Sequence, residues 1–184
     1  MARTPSSMIP LSTRASEFTL PDTISGKTLS LHELKGEKGT LIMFICNHCP
    51  FVIHVNEELV KLGNDYPPNG IKLIAINSND AQKYPEDSPE KMTMVAKKLG
   101  YKFPYLFDET QEVAKAYDAV CTPDFFLFDA ELKLVYRGQL DDARPGNGVP
   151  VTGADLRAAM DALLYGEEVP QDQKPSLGCN IKWK

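Results

Sequence analysis

A chain of 184 residues is long enough for one domain with its own core, and 42% hydrophobic with 24% charged residues is typical of a globular protein. A net charge of −5, with lysines and arginines scattered, argues against nucleic acid or an anionic membrane as the main partner. No apolar run approaches the roughly 18 residues that span a bilayer, and the N-terminus has no secretory signal pattern, so we expect a cytosolic protein.

The first half of the chain shows the alternation of strands with crossover helices. In chain order we predict a loose arm over 1–15, an edge strand over 28–31, a strand buried on both faces over 40–45, a helix from Pro50 to the turn at 67–70, a second buried strand over 71–76 and a polar loop over 77–88. Ser88 and Pro89 then begin a helix that Gly100 ends. This alternation implies parallel strands.

The second half adds a hairpin and a covering helix to the same sheet. In chain order we predict a strand over 105–107, a short helix, paired antiparallel strands over 124–129 and 132–138, a last helix and a tail. Asp108 is expected to cap the short helix, with Gln111 three residues on. Thr152 and Asp155 have the spacing of a capping box for the last helix. The chain is therefore predicted as an α/β protein with a mixed central sheet and helices on both faces.

Redox chemistry is predicted at Cys-Asn-His-Cys-Pro over 46–50, between the buried strand and its helix. Pro50 suits the first helical turn, because its missing N–H needs no partner there. Cys49 then lies at the N-cap, where free N–H groups and the helix dipole lower the pKa of a thiol. Cys46, three residues upstream, can form a disulfide with it if the turn is tight. Four cysteines are too few for a disulfide scaffold, which favours catalysis.

A metal site is the main alternative at the same residues. Cys46, His48 and Cys49 offer ligands that suit zinc or copper, and His54 follows in the next helix. A closed structural zinc site needs four ligands, and no second pair of closely spaced cysteines is present. His48 has either a chemical role or only a place in the loop, whereas His54 is expected at the surface. No cofactor is expected, because phosphate-loop, dinucleotide and serine-hydrolase motifs are missing.

Longer motifs identify a family resemblance that covers most of the chain after about residue 15. They are FICNHCPFV (44–52), KYPEDSPEKM (83–92), PYLFDETQEVAKAYDAVCTPDFFLFD (104–129) and PSLGCNIKW (175–183). The chain resembles the thioredoxin superfamily, and within it the peroxiredoxin-like, AhpC/TSA-type proteins of bacteria. The resemblance implies a thioredoxin-like fold over 16–168, with an N-terminal arm over 1–15 and a C-terminal tail over 169–184 that packs on the domain.

The resemblance also implies a substrate edge opposite the cysteines. Superfamily members have a cis proline before a strand at that position, and Thr122-Pro123 fits it. An ordinary trans proline that opens a strand is the alternative. The backbone of Thr122 would then lie beside a bound peptide or thiol, with His48 and Pro50 across from it. Cys121 should lie close by, as a third participant or as a buried thiol.

Two departures from family patterns bear on the activity. Peroxiredoxins have a proline seven and a threonine three residues before the peroxide-reactive cysteine. Counting back from Cys49 gives Ile42 and Cys46, and counting back from Cys46 gives Gly39 and Met43. Thioredoxins carry a buried acid in the strand before the site, and TLIMFI over 40–45 has none.

We therefore expect a thiol–disulfide oxidoreductase, with a weak thiol peroxidase and a metal-binding or metal-delivery protein as alternatives. The expected partners are a disulfide-containing protein or a small thiol, together with an electron donor that the sequence does not identify.

We expect Cys49, not Cys46, to be the attacking nucleophile, whereas the tail cysteine has two alternative roles. An ordinary pair of this spacing attacks with its first cysteine, which favours Cys46. In the superfamily the attacking cysteine follows a strand and a short loop and directly precedes a proline. This order favours Cys49 as the attacking thiol and Cys46 as the resolving thiol. Cys179 is either a second candidate resolving thiol or a tail cysteine without a role. Ile181 and Trp183 are expected to anchor the tail on the domain.

Overall fold

A computed structural model describes residues 3–184, so the first two residues of the predicted arm lie outside the description. The strands are β1 (Arg3–Pro5), β2 (Thr19–Pro21), β3 (Thr28–Ser30), β4 (Gly39–Phe44), β5 (Ile71–Asn77), β6 (Tyr105–Phe107), β7 (Cys121–Thr122), β8 (Asp124–Asp129), β9 (Leu134–Gly138) and β10 (Leu177–Asn180). The helices are α1 (Leu31–Leu34), α2 (Pro50–Asp65), α3 (Pro89–Leu99), α4 (Glu112–Ala116) and α5 (Ala154–Leu164), with 3-10 turns at Pro67–Asn69 and Pro85–Asp87.

The central sheet is mixed, as predicted, with the strand order β6-β5-β4-β8-β9. β4 pairs in parallel with β5 and antiparallel with β8, and β8 and β9 form the expected hairpin. Every residue of β4 is buried, because hydrophobic clusters cover both faces of the sheet. Leu41 and Met43 face α2, α3 and α5, whereas Ile42 and Phe44 face α1 and α4. Alternate side chains of one apolar strand thus join two cores.

Two predicted helix caps differ in the structure. The short helix begins at Glu112 rather than directly after Asp108, with Gln111 at its N-cap in a left-handed conformation (φ +67°). The Asp108 carboxylate still accepts a hydrogen bond from the Ala114 N–H (3.0 Å), but from outside the helix. The capping box at α5 is also wrong, because Gly153 is the N-cap and Asp155 accepts a hydrogen bond from the Gln139 amide (2.7 Å). At α5 a side-chain partner from outside the helix thus replaces the predicted local cap.

Both ends of the chain belong to a second sheet, with the order β1-β10-β7. Residues 3–5, predicted as part of a loose arm, form β1 and pair with β10, and β10 pairs in turn with β7. Of the two expected tail anchors, Ile181 is buried, whereas Trp183 is 38% exposed with the Lys115 ammonium 5.9 Å from its ring. Among residues 3–184, none of the helices combines the length and the apolarity needed to cross a membrane.

An ion pair lies in the core where β8 and β9 run side by side. The Arg137 Nη1 atom is 3.0 Å from the Asp124 carboxylate, and neither side chain is accessible to solvent. The guanidinium also lies 3.6 Å from the centre of the Phe126 ring and donates to the backbone oxygens of Ser7 and Asp118. This buried acid comes from β8, whereas the sequence analysis looked for one in β4. Arg137 therefore connects the hairpin with the N-terminal segment.

Candidate active site

Cys49 lies at the N-cap of α2, with Pro50 in the first helical turn, as predicted. The chain leaves β4 at Phe44, crosses residues 45–48 and enters the helix, so a rigid buried strand holds the site from behind. The Cys49 carbonyl accepts the first helical hydrogen bond from the Ile53 N–H (2.9 Å). Its sulfur is therefore at the end of the helix where unpaired N–H groups point outward.

Cys46 and Cys49 are both buried, and their pKa values are shifted in opposite directions. A hydrogen bond from the Cys46 side chain is the largest cause that lowers the pKa of Cys49 to about 5, and the Cys179 thiol and the Val52 N–H add to it against the cost of burial. The same contact, together with burial and the nearby Asp87 carboxylate, raises the pKa of Cys46 well above its usual value. These opposite pKa shifts favour the proton on Cys46 and the thiolate on Cys49.

The substrate edge expected from the resemblance lies against these sulfurs. The Thr122–Pro123 peptide bond is cis, which confirms that prediction. The Cys49 sulfur is 3.3 Å from the Thr122 carbonyl oxygen, and the Cys46 sulfur is 3.4 Å from the Thr122 hydroxyl. The structure thus brings Thr122 and Pro123 to the two cysteines, from the opposite side of the site.

The two remaining cysteines occupy different positions. Cys179, on β10, has its sulfur 2.7 Å from that of Cys49. Cys121 is fully buried, and its sulfur contacts the Pro123 carbonyl oxygen at 3.8 Å. Burial raises the pKa of the Cys121 thiol far beyond its ordinary value. Cys179 is thus in direct contact with the thiolate, whereas Cys121 has the setting of an inert buried thiol.

A buried carboxylate that the sequence analysis missed organises the loop between the cysteines. Asp87 is fully buried in the predicted polar loop and accepts hydrogen bonds from the Asn47 N–H (2.8 Å) and the Asn79 amide (2.9 Å). Its second oxygen lies 2.6 Å from His48 Nδ1, and the His48 ring stacks on Tyr84 with 5.7 Å between centroids. The available signal was the 83–92 motif, in which Asp87 precedes a helix cap. Asp87 therefore fixes the backbone and the imidazole next to Cys46.

Cys46, His48 and Asp87 are also the residues that could hold a metal ion, since one ligand atom of each lies within 4.8 Å of the others. This group contains Asp87 in place of Cys49, which was expected among the ligands. A separation of 2.6 Å between His48 Nδ1 and Asp87 Oδ2 is a hydrogen-bond distance. Two ligands about 2 Å from one tetrahedral zinc ion lie farther apart than that. The geometry therefore favours a direct His48–Asp87 contact over a shared metal ion. His54 does not belong to this group.

Sequence comparison gives one family and one curated relative. The model of the AhpC/TSA family matches residues 11–137. The thiol-disulfide oxidoreductase ResA of Halalkalibacterium halodurans is 28% identical over 122 residues, which cover 66% of this chain and 64% of the relative. The chain thus spans less than two thirds of the length of the curated relative that it matches.

Solved structures agree with this assignment. The crystal structure of an uncharacterized conserved protein from Geobacillus kaustophilus is 63% identical, with a TM-score of 0.98 over 100% of this chain and 97% of that chain. The thioredoxin domain of a thiol-disulfide oxidoreductase from Bacteroides vulgatus is 20% identical, with a TM-score of 0.60 over 71% of this chain and 89% of that chain, and this likeness shows the fold alone. With a family model over more than half of its length, this chain belongs to the AhpC/TSA family, and its fold is thioredoxin-like.

Proposed function

We propose that this protein is a thiol–disulfide oxidoreductase that acts through Cys46 and Cys49. The observation that carries the proposal is the pair of thiols at the start of α2, in which Cys49 has its pKa lowered to about 5. A thiolate is the reactive form of cysteine, and a neighbouring thiol resolves the mixed disulfide that it forms. The name of the relative from Halalkalibacterium halodurans, a thiol-disulfide oxidoreductase, supports the same chemistry.

The reaction transfers two electrons from the protein to a substrate disulfide. The Cys49 thiolate attacks one substrate sulfur, the substrate S–S bond breaks, and the other sulfur leaves as a thiolate that takes up a proton. Cys46 then loses its proton and attacks the Cys49 sulfur, which forms the Cys46–Cys49 disulfide and releases the second substrate thiolate. An external dithiol restores both thiols and is oxidised in turn.

The neighbouring residues have positioning roles in this proposal. Pro50 begins the helix whose N-terminus stabilises the Cys49 thiolate. Thr122 and Pro123 form the edge along which an extended substrate would align, and His48 borders it with its ring fixed by Asp87. The partners would be a disulfide-containing protein or a small thiol compound, with a dithiol electron donor, in a reducing compartment such as the cytosol.

Trapping the first intermediate tests both the activity and the order of attack. A Cys46→Ser/Cys179→Ser variant lacks the two thiols next to Cys49, so it should stop at a mixed disulfide between Cys49 and a model substrate. The adduct is measured by intact mass and peptide mapping. The matched control is Cys49→Ser/Cys179→Ser, which keeps Cys46 and should form little adduct because burial and the Asp87 carboxylate still raise the pKa of Cys46. An adduct on Cys46 alone would reverse the order, and no adduct in either variant would reject the function.

Thiol peroxidase activity is the second candidate, supported by membership of the AhpC/TSA family. The position three residues before Cys49 carries the Cys46 thiol instead of a hydroxyl. The Thr122 hydroxyl is near, but it is buried and contacts the Cys46 sulfur at 3.4 Å.

Reduced protein is therefore expected to react slowly with hydrogen peroxide, because no free hydroxyl positions the peroxide at the thiolate. Stopped-flow fluorescence or competition against a dedicated peroxiredoxin measures the rate. We expect a rate constant at least about a hundredfold below that of the peroxiredoxin. A fast, saturable reaction would instead make the peroxidase the main activity. Metal analysis of the purified protein tests the remaining alternative, a metal-binding protein that uses Cys46, His48 and Cys49 or Asp87.

A further inference from the structure

The C-terminal strand β10 lies along the edge of β7 that an extended substrate would use. Cys179 is paired with Thr122 and Asn180 with Cys121, in antiparallel register. An added strand of this kind is a common way for proteins to bind extended peptides, since backbone hydrogen bonds give affinity and side chains give specificity. The chain therefore presents one of its own cysteines at the position of a substrate cysteine.

The fit between β10 and this edge is close. A Cβ atom on Gly178 would lie 1.9 Å from the Thr122 carbonyl oxygen, so only glycine is accommodated before Cys179. The cavity that remains between Phe51, Pro123 and Leu177 has a volume of 20 Å³. Such a volume admits about one water molecule and no second peptide chain. An external extended substrate can occupy this edge only after β10 has left it.

Contacts on both sides of Cys179 hold the strand in register. Before it, the Ser176 hydroxyl donates to the Pro123 carbonyl oxygen (2.6 Å). After it, the Ile181 N–H donates to the Val120 carbonyl (3.0 Å), and the Ile181 side chain is buried. The Lys182 N–H donates to the Asn79 side chain (2.8 Å) in the loop that also contains Asp87. The sulfur–sulfur contact of 2.7 Å is thus fixed by the surrounding backbone.

We propose that β10 is a built-in substrate segment, and that Cys179 exchanges with Cys49 to form an intramolecular disulfide once a small disulfide compound has oxidised Cys49. This inference rests on the proposed oxidoreductase function and adds the class of peptide that the active site would bind. The class is an extended peptide with a glycine directly before its cysteine, as in Leu177-Gly178-Cys179.

The exchange is balanced and needs no oxidant beyond the substrate disulfide. Once Cys49 is joined to Cys46, the Cys179 thiol loses its proton and attacks the Cys49 sulfur. The Cys49–Cys179 bond forms, the Cys46–Cys49 bond breaks, and Cys46 leaves as a thiolate that takes up a proton.

The acidity of Cys179 fits this sequence of events. Burial first, and then the contact with Cys49, raises the pKa of Cys179 to about 12. In the reduced protein Cys179 is therefore a thiol beside the Cys49 thiolate. When Cys49 enters a disulfide its negative charge disappears, and the pKa of Cys179 falls. Oxidation of Cys49 thus removes the part of the pKa shift of Cys179 that comes from Cys49, while burial continues to raise it.

Disulfide mapping of the full-length Cys46→Ser variant tests the inference. Glutathione disulfide is added, and the Cys49 thiolate takes one glutathionyl group and releases one glutathione thiolate. Cys179 should then displace the second glutathione, so that the Cys49–Cys179 disulfide dominates in peptide maps. Adding Gly178→Ala to this variant should reduce that disulfide at least about tenfold and leave Cys49 glutathionylated. Asn180→Ala, on the same strand but with an exposed side chain, should leave the disulfide in place.

The outcomes separate this inference from the proposed function. Stable glutathionylation of Cys49 in Cys46→Ser, without a bond to Cys179, would overturn the inference and leave the oxidoreductase standing. An unreactive Cys49 would overturn both. Cys46→Ser/Cys179→Ser keeps Gly178, so it tests the exchange even if Gly178→Ala impairs folding. It should accumulate the glutathione adduct that Cys46→Ser resolves.

Discussion

Replacing Cys49 by serine is expected to lower the turnover of disulfide reduction by roughly a thousandfold or more. A serine hydroxyl remains protonated at neutral pH, so the N-terminus of α2 would have no anion to stabilise and no nucleophile to offer. Turnover is measured by coupled reduction of a protein disulfide with excess dithiol. Cys121→Ser is the matched control, since it makes the same change at a buried thiol whose sulfur contacts the Pro123 carbonyl. Equal losses in the two variants would mean that folding, not nucleophilicity, had been changed.

The pH dependence of mixed-disulfide formation is a second test of the role of Cys49. Because the pKa of Cys49 is lowered to about 5, the rate of mixed-disulfide formation should be high above that pH and fall as the pH decreases through it. In Cys46→Ala the hydrogen bond that is the largest cause of this shift is lost, so the midpoint should move upward. An unchanged midpoint would show that the helix N-terminus alone controls the acidity of Cys49.

The main elements of the fold were predictable from the sequence because their signals are local. Continuous apolar runs mark β4 and β5, and the strands over 124–129 and 132–138 were found with the right pairing. The Cys-Pro pair likewise placed Cys49 at the start of a helix, since a proline in the first turn depends only on its neighbours. Ser88 and Gly100 were correct caps for the same reason.

The contacts missed at the site all depend on residues far apart in the chain. Asp87 lies in a polar loop, and its burial follows from donors such as the Asn47 N–H, forty positions away. β10 is a four-residue strand that contains glycine and asparagine, which have low β-propensity, so its pairing with β1 and β7 comes from tertiary structure. The contact between Cys49 and Cys179, which the sequence offered as one of two alternatives for the tail cysteine, joins residues 130 positions apart. The chemistry of the site was thus local in sequence, whereas its surroundings were not.

Removing one member of the buried Arg137–Asp124 pair is expected to cause a large loss of stability. Arg137→Met would leave the Asp124 carboxyl buried without its countercharge and would remove the hydrogen bonds to Ser7 and Asp118. Losing one partner of such a pair costs about 3–5 kcal/mol of unfolding free energy. Chemical denaturation measures this change. Lys174→Met, in a pair whose two side chains are each 64% exposed, should leave the midpoint nearly unchanged.

The pH dependence of this loss identifies its cause. Burial is the main reason that the pKa of Asp124 is raised to about 7, and Arg137 opposes that rise. Without Arg137 the folded-state pKa rises further, so the folded protein binds a proton that the unfolded chain has released. Both proteins should lose unfolding free energy as the pH rises from about 4, and Arg137→Met should fall further below wild type only above about pH 7, where Asp124 ionises in the folded wild type but not in the variant. Arg137→Met/Asp124→Leu, which removes both charges, should recover much of the loss at high pH. Equal destabilisation at pH 5 and pH 8 would attribute the loss to packing around Phe126 and not to the unpaired charge.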